Sequence, residues 1–87
     1  VGIENYDLNR QVSIHPNPSQ GKFFLFINSA FTDAEISISN QLGKTIFCVS
    51  HLKGKEFGFD ISEYQAGLYF VKIKDGNQFK VFKILKL

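Results

Sequence analysis

Residues 68–86 read Leu-Tyr-Phe-Val-Lys-Ile-Lys-Asp-Gly-Asn-Gln-Phe-Lys-Val-Phe-Lys-Ile-Leu-Lys, and this stretch decides the fold class. Large apolar residues alternate with lysines on both sides of Asp75-Gly76, the strongest short-range hairpin signal in the chain. Alternation at every second residue is the period of a β-strand and not of a helix. We therefore predict a β-hairpin with strands at 68–74 and 78–86.

The length of the hairpin loop decides which side chains share a face, because facing residues on paired strands point the same way. A two-residue loop at Asp75-Gly76 would place Lys80 on the core face. A three-residue loop would instead place Phe79 and Val81 there and send Lys80 to solvent, so we predict the three-residue loop. Its outer face would carry an apolar patch with a basic rim, made of Leu68, Phe70, Phe82 and Ile84. A monomer does not normally expose such a patch, and we expect a partner to cover it, a second copy in a homodimer being one candidate.

Turn residues and period-two patterns recur upstream at the spacing of a sandwich or small barrel. Pro16 and Pro18 end the first predicted strand, because proline lacks the N–H group that a central ladder needs. Ile36 and Ile38 alternate with polar residues in a later one. The five strands predicted here are 11–15, 22–29, 34–40, 44–50 and 56–60. With the C-terminal pair they make about seven strands and an all-β antiparallel fold.

A crossover over residues 61–66 leads into the sixth predicted strand, and Tyr69 lies near the start of that strand. Such a tyrosine in immunoglobulin-like folds bonds back to the preceding crossover. An ordinary core tyrosine would produce the same local sequence. Both interpretations of Tyr69 stay open at this point.

Length and composition favour one small domain. The chain has 87 residues, with ten Phe and three Tyr to fill a core. A net charge of +2 is too small to indicate nucleic-acid binding, and no apolar run approaches the roughly 18 residues of a membrane span, so no membrane insertion is expected. Residues 1–11 are polar and aperiodic and are predicted to be a linker from an upstream cargo domain, with the folded domain at 12–87. Because the chain begins at Val1 without a signal-type segment, we expect it to be a fragment.

No arrangement of residues in the sequence indicates catalysis, a cofactor or a metal. His15 and His51 lie in unrelated loops, without a nucleophile or metal-ligand spacing around them. Cys48 is the only cysteine, so no intrachain disulfide can form, and its apolar neighbours predict a buried, free thiol. We therefore predict that the domain is not an enzyme. One alternative function is a carbohydrate-binding or adhesive module, for which Phe24 and Phe26 would be the ligand contacts.

Four motifs resemble one known family. Residues 15–23 read His-Pro-Asn-Pro-Ser-Gln-Gly-Lys-Phe. They strongly resemble the opening Tyr-Pro-Asn-Pro-x-x-Gly-x-Phe motif of the type A C-terminal sorting domains of the type IX (Por) secretion system in Bacteroidetes, with His15 in place of the tyrosine. Residues 36–46 are similar to that family's hairpin closing on Gly-Lys, and residues 60–73 to its Asp-hydrophobic-Ser and Gly-x-Tyr segments. Residues 83–86 are similar to its terminal Lys-hydrophobic run, so that the motifs occur in the family's order.

The resemblance implies an immunoglobulin-like antiparallel β-sandwich of about seven strands. It also implies a non-catalytic address, recognised by an outer-membrane translocon after passage through the periplasm and removed by a sortase-like peptidase, which leaves the cargo secreted or at the cell surface. The sorting-motif residues that it implies are Pro16, Asn17, Pro18, Gly21, Gly43, Lys44, Gly67, Tyr69 and Lys83.

Overall fold

The computed structural model describes residues 12–87, so the linker predicted at 1–11 lies outside the described residues. The described part is all-β, as predicted. Its strands are β1 (Val12–His15), β2 (Lys22–Asn40), β3 (Thr45–Asp60), β4 (Gly67–Asp75) and β5 (Gln78–Lys86). Every pair of neighbouring strands is antiparallel. No helix in this part of the chain is long and apolar enough to cross a membrane.

The described residues form five strands where the sequence predicts seven. The second and third predicted strands are joined in β2, and the fourth and fifth are joined in β3. Phe31 and Ala34 are buried in the middle of β2, so the chain stays extended between the second and third predicted strands and bends through register shifts against β3. Polar residues near 28–33 therefore mark a bend with bulges and not a chain reversal.

The bends divide the sheet into two halves that share β2 and β3. The first half consists of β1, residues 22–27 of β2 and residues 56–60 of β3. The second half consists of residues 45–52 of β3, residues 34–40 of β2, β4 and β5, in that order. Buried side chains from both halves belong to one apolar cluster, which includes Phe23, Leu25, Ile36, Ile38, Val71 and Ile84. The two halves therefore enclose a single core.

Side chains at the start of β2 alternate between the core and the surface. Phe23, Leu25 and Ile27 are buried, whereas Phe24 and Phe26 point outward.

Tyr69, near the start of β4, has a specific hydrogen-bonding role. The Tyr69 hydroxyl donates a hydrogen bond of 2.6 Å to the carbonyl oxygen of Gln65, four residues earlier. Tyr69 therefore bonds back to the preceding crossover, as the first of the two interpretations requires.

The predicted loop of the C-terminal hairpin is wrong. Asp75 pairs with Gln78, so Gly76-Asn77 forms a two-residue loop, with Gly76 at a φ of +66° that a type II′ turn favours at its first position. Phe79 and Val81 are consequently exposed, and Ile84 is buried. Lys80 shares the inner face, yet its ammonium lies 5.9 Å from the Phe82 ring centroid at the sheet edge, so the charge is not stranded.

The apolar patch predicted on the hairpin does not exist as one face. Leu68 and Phe70 lie on the outer side of β4, but Phe82 and Ile84 lie on the inner side of β5. Phe82 packs against the core, and Ile84 is part of it. The basis for a homodimer through that patch is removed.

Cys48 is free but exposed, which corrects the prediction of a buried thiol. It lies opposite Ser37 in the β2–β3 ladder and points outward. Its Sγ is 3.6 Å from Oε2 of Glu35 and donates to it. Contact with neighbouring atoms displaces water and raises the pKa of the Cys48 thiol, and the Glu35 carboxylate raises it further.

Candidate functional site

The Pro-Asn-Pro segment contacts the last strand through one side chain. Asn17 Nδ2 donates to the Lys83 carbonyl oxygen at 3.1 Å, and Asn17 Oδ1 accepts from the Leu85 N–H at 3.0 Å. The amide thereby occupies one donor and one acceptor of the β5 backbone, as a residue of a paired strand would. The flanking Pro16 and Pro18 both follow cis peptide bonds.

Ser19 continues this contact with its own backbone. Its N–H donates to the Leu85 carbonyl oxygen at 3.1 Å, its carbonyl oxygen accepts from the Leu87 N–H at 2.8 Å, and the two bonds form a parallel bridge opposite Lys86. The Ser19 hydroxyl donates to the Lys22 carbonyl oxygen and accepts from the Gly21 N–H. Residues 17–19 therefore act as a short surrogate strand on the edge of β5.

Gly21 joins the same segment to the crossover between β3 and β4. Its carbonyl oxygen accepts a hydrogen bond from the Ile61 N–H at 2.9 Å. Its φ is +150°, and an added Cβ would lie 2.5 Å from the Cα of Ser62. No side chain fits at this position, so the glycine is required by close packing as well as by conformation.

Asp60 and Ser62 form a turn next to Gly21. Oδ1 of Asp60 accepts from the Ser62 N–H at 2.8 Å and from the Ser62 hydroxyl. These hydrogen bonds hold the pKa of the Asp60 carboxyl below its usual value, and the charges of Lys22 and Lys86 act in the same direction. The motif Asp-hydrophobic-Ser is therefore a self-contained turn that supports the glycine.

Gly43 and Lys44 lie in the turn between β2 and β3, which is closed by Asn40. Oδ1 of Asn40 accepts from the N–H groups of Leu42 and Lys44, at 2.9 and 3.0 Å. Asn40 pairs with Tyr69 in the β2–β4 ladder, and both line a shallow depression between this turn and the crossover. Leu42 projects from the turn and is 92% exposed.

The sorting-motif residues therefore converge on one end of the molecule, which we call the motif end. Gly67 pairs with Lys86, Tyr69 pairs with Ile84, and the Lys83 carbonyl oxygen is held by Asn17. The side chains of Lys44 and Lys83 are exposed there. Four further residues of this end were not predicted as site residues: the polar residues Ser19, Asn40 and Ser62, and the apolar residue Leu42. The available signal for Ser19 and Ser62 was a polar residue two positions from a glycine or an aspartate, and for Asn40 it was an asparagine three positions before a glycine, because such side chains bond to nearby backbone. No such signal marks Leu42.

The residues considered for other chemistry do not come together. His15 contacts the Phe26 ring and bonds to Ser13, while His51 pairs with Asp33 at 2.9 Å. Within residues 12–87 no group of His, Cys, Asp or Glu is placed to hold a metal ion. Phe24 and Phe26 are exposed, as a carbohydrate-binding module would require, but the Phe24 ring covers Gly58, and a Cβ there would lie 3.1 Å from it. This contact gives Phe24 a structural reason to lie on the surface.

One family model matches the chain, and it is described as a secretion system C-terminal sorting domain. The match covers residues 13–86, which includes every strand of the fold except Val12 at the start of β1, and all the residues of the motif end named above except Leu87. No curated protein matches the chain significantly.

Proposed function

The chain belongs to the family of type IX secretion system C-terminal sorting domains, and from that membership we propose that it is a non-catalytic signal that directs its parent protein out of the cell. The match over residues 13–86 carries this proposal. The parent protein, which we expect upstream of residue 12, supplies whatever activity is exported.

The geometry of the motif end supports recognition in the folded state. The motifs are far apart in the sequence, yet Asn17 bonds to the Lys83 carbonyl oxygen, Gly21 bonds to the Ile61 N–H, and Tyr69 pairs with Ile84. Prolines and glycines thus hold the turns, and the exposed side chains between them remain available to a partner. We propose that Lys44, Lys83 and Leu42 are among the groups that the outer-membrane translocon contacts.

The finer description of the fold is also a proposal. Seven segments result when β2 and β3 are each divided at their bends, three in the first sheet half and four in the second. The backward bond of Tyr69 and the switch of the chain at residues 16–19 from β1 to the edge of β5 favour an immunoglobulin-like β-sandwich.

Processing and destination complete the proposal. A sortase-like peptidase removes the domain by cutting within or just before residues 1–11, which are polar and contain no proline. The cargo then remains secreted or at the cell surface. Detection of residues 16–87 on the mature surface protein would contradict removal.

An export assay tests the function. We expect residues 1–87, fused to a reporter that carries a signal peptide, to bring the reporter outside a bacterium with type IX secretion. A reporter that stays periplasmic while an established sorting domain exports it would overturn the proposal.

A matched pair of variants separates recognition from folding. Lys44→Ala with Lys83→Ala removes two exposed charges at the motif end, and Lys53→Ala with Lys55→Ala removes two exposed charges elsewhere. Exposed substitutions of this kind change stability little. We expect the first pair to reduce export and the second to leave it unchanged. Equal export of both would show that these lysines do not contact the translocon.

A further inference from the structure

β5 has an edge that is covered over only part of its length. It pairs with β4 along its whole length, and on its other side only residues 17–19 reach it, within the described part of the chain. Asn17 and Ser19 take the Lys83 carbonyl, both backbone groups of Leu85, and the Leu87 N–H. The surrogate strand ends there and does not extend toward the hairpin loop.

The same bonds fix the direction of the remaining backbone groups. In an antiparallel ladder, alternate residues direct both their N–H and C=O toward one neighbour. Since Leu85 directs both away from β4, and the register from Lys83 to Phe79 has no shift, Val81 also directs its N–H and C=O away from β4. No residue of the described chain pairs with Val81 on that side. The open edge is centred on this residue.

Side chains around the open edge are apolar and cationic. Val81 is 47% exposed and Phe79 is 36% exposed, with the Lys72 ammonium 5.5 Å from the Phe79 ring centroid. Lys80 and Lys83 flank Val81 and Phe82 on β5 itself. The nearest acid of the described outer face, Glu35, lies beyond β4 and opposite Lys74. A strand added at this edge would meet two lysines and no carboxylate on β5.

Charge selects the class of strand that fits. Two copies of the domain joined edge to edge would bring Lys80 and Lys83 of both copies to one seam, where like charges on neighbouring strands repel. An acidic residue opposite each lysine would instead form a cross-strand pair, and apolar residues opposite Val81 and Phe82 would cover exposed surface. The sequence Lys80-Val-Phe-Lys83 is therefore complementary to the pattern acidic–apolar–apolar–acidic, in either strand direction.

We propose that the open edge of β5 binds an extended segment of another protein with this pattern, by addition of a strand to the sheet. Main-chain bonds to Val81 supply affinity, and the two lysines supply specificity. The site shares Lys83 with the motif end but is centred on Val81, outside it, and the inference does not depend on the export function.

Peptide titration tests the proposal. The 87-residue chain is titrated with the capped peptide Thr-Glu-Val-Val-Glu-Thr and, separately, with Thr-Lys-Val-Val-Lys-Thr, at low salt, with backbone amide NMR shifts as the readout. We expect the glutamate peptide to shift the amides of Val81 and Lys83 and to bind about tenfold more tightly than the lysine peptide. Equal binding of both peptides, or no shift at these amides, would overturn the proposal. So would concentration-dependent dimerisation that shifts the same amides without peptide.

Two sets of variants locate the binding edge. Val81→Pro removes the outward N–H and leaves the β4 ladder intact, whereas Val81→Thr keeps the N–H as the matched control. We expect the first to weaken binding about tenfold and the second to retain most of it. Lys80→Glu with Lys83→Glu should reverse the preference toward the lysine peptide, a result that does not require the proline variant to fold. If the double glutamate variant still preferred the glutamate peptide, Lys80 and Lys83 would not select the partner.

Discussion

At the scale of single residues, the carboxylate of Glu35 lies beside the exposed thiol of Cys48, and its negative charge affects how readily the thiol reacts. Cys48 and Glu35 share a hydrogen bond of 3.6 Å on the outer face, and Glu35 contributes to the raised pKa of the thiol. Only the thiolate reacts, so we expect Cys48 to react slowly at neutral pH despite its exposure. The thiolate fraction rises as the pH approaches the raised pKa.

We expect Glu35→Gln to lower the pKa of Cys48 and to accelerate its reaction with a thiol reagent at neutral pH several-fold, about tenfold at most. Rates measured from neutral to alkaline pH on the folded protein give both pKa values. Glu56→Gln, an exposed substitution on the other half of the sheet, is the control and should leave the rate unchanged. Identical pH profiles for the wild type and Glu35→Gln would show that the carboxylate does not act on the thiol.

At the scale of strands, residues 17–19 replace a paired strand over the end of β5. Asn17→Ala removes two hydrogen bonds to the β5 backbone, which we expect to cost about 1–2 kcal/mol of the free energy of unfolding. Hydrogen exchange at the Leu85 amide should accelerate more than exchange at core amides of β4. Gln20→Ala, an exposed change in the same loop, is the control for denaturant unfolding. Unchanged exchange at Leu85 would contradict a holding role for Asn17.

The C-terminal hairpin shows how far sequence could predict these strands. The strands and the turn region follow from alternation and from Asp75-Gly76, but the side-chain parity does not. The predicted loop kept the charge of Lys80 off the inner face, whereas an edge strand lets the long aliphatic stem lie inward while the ammonium reaches water. In the structure Ile84 is part of the core and Phe82 packs against it, and tertiary contacts decide which apolar residues of the strand face inward.

The sequence predicts which residues form the turns of the motif end, but it does not predict which residues of the motif end contact each other. Pro16, Gly21, Gly43 and Gly67 mark turns by their residue types alone. That Asn17 reaches β5, 66 residues away along the chain, depends on the whole topology. The prediction of a buried Cys48 was wrong for a related reason. Apolar neighbours in the sequence do not determine burial in a strand whose bulges change which side chains face outward.

At the scale of the whole molecule, β2 and β3 each run through both halves of the sheet. Phe23 and Leu25 of β2 are buried in one half, and Ile36 and Ile38 of the same strand are buried in the other. One apolar cluster includes all four, so neither half retains its core when the other opens. Continuous strands and a shared core favour a single cooperative unit, as small domains usually are.

We therefore expect unfolding in urea to be two-state, with the same midpoint for probes in the two halves. Amide exchange of Leu25 in the first half and of Val71 in the second should give equal free energies of opening, because both amides exchange by global unfolding. Ile38→Val, which removes one buried methylene in the second half, should lower both free energies by about 1 kcal/mol. If the free energy of opening decreased only at the Val71 amide, β4 and β5 would open separately from the rest of the domain. A sorting signal recognised by its folded shape requires the first outcome, because a domain that opened in parts would expose the motif end without the β5 contacts that organise it.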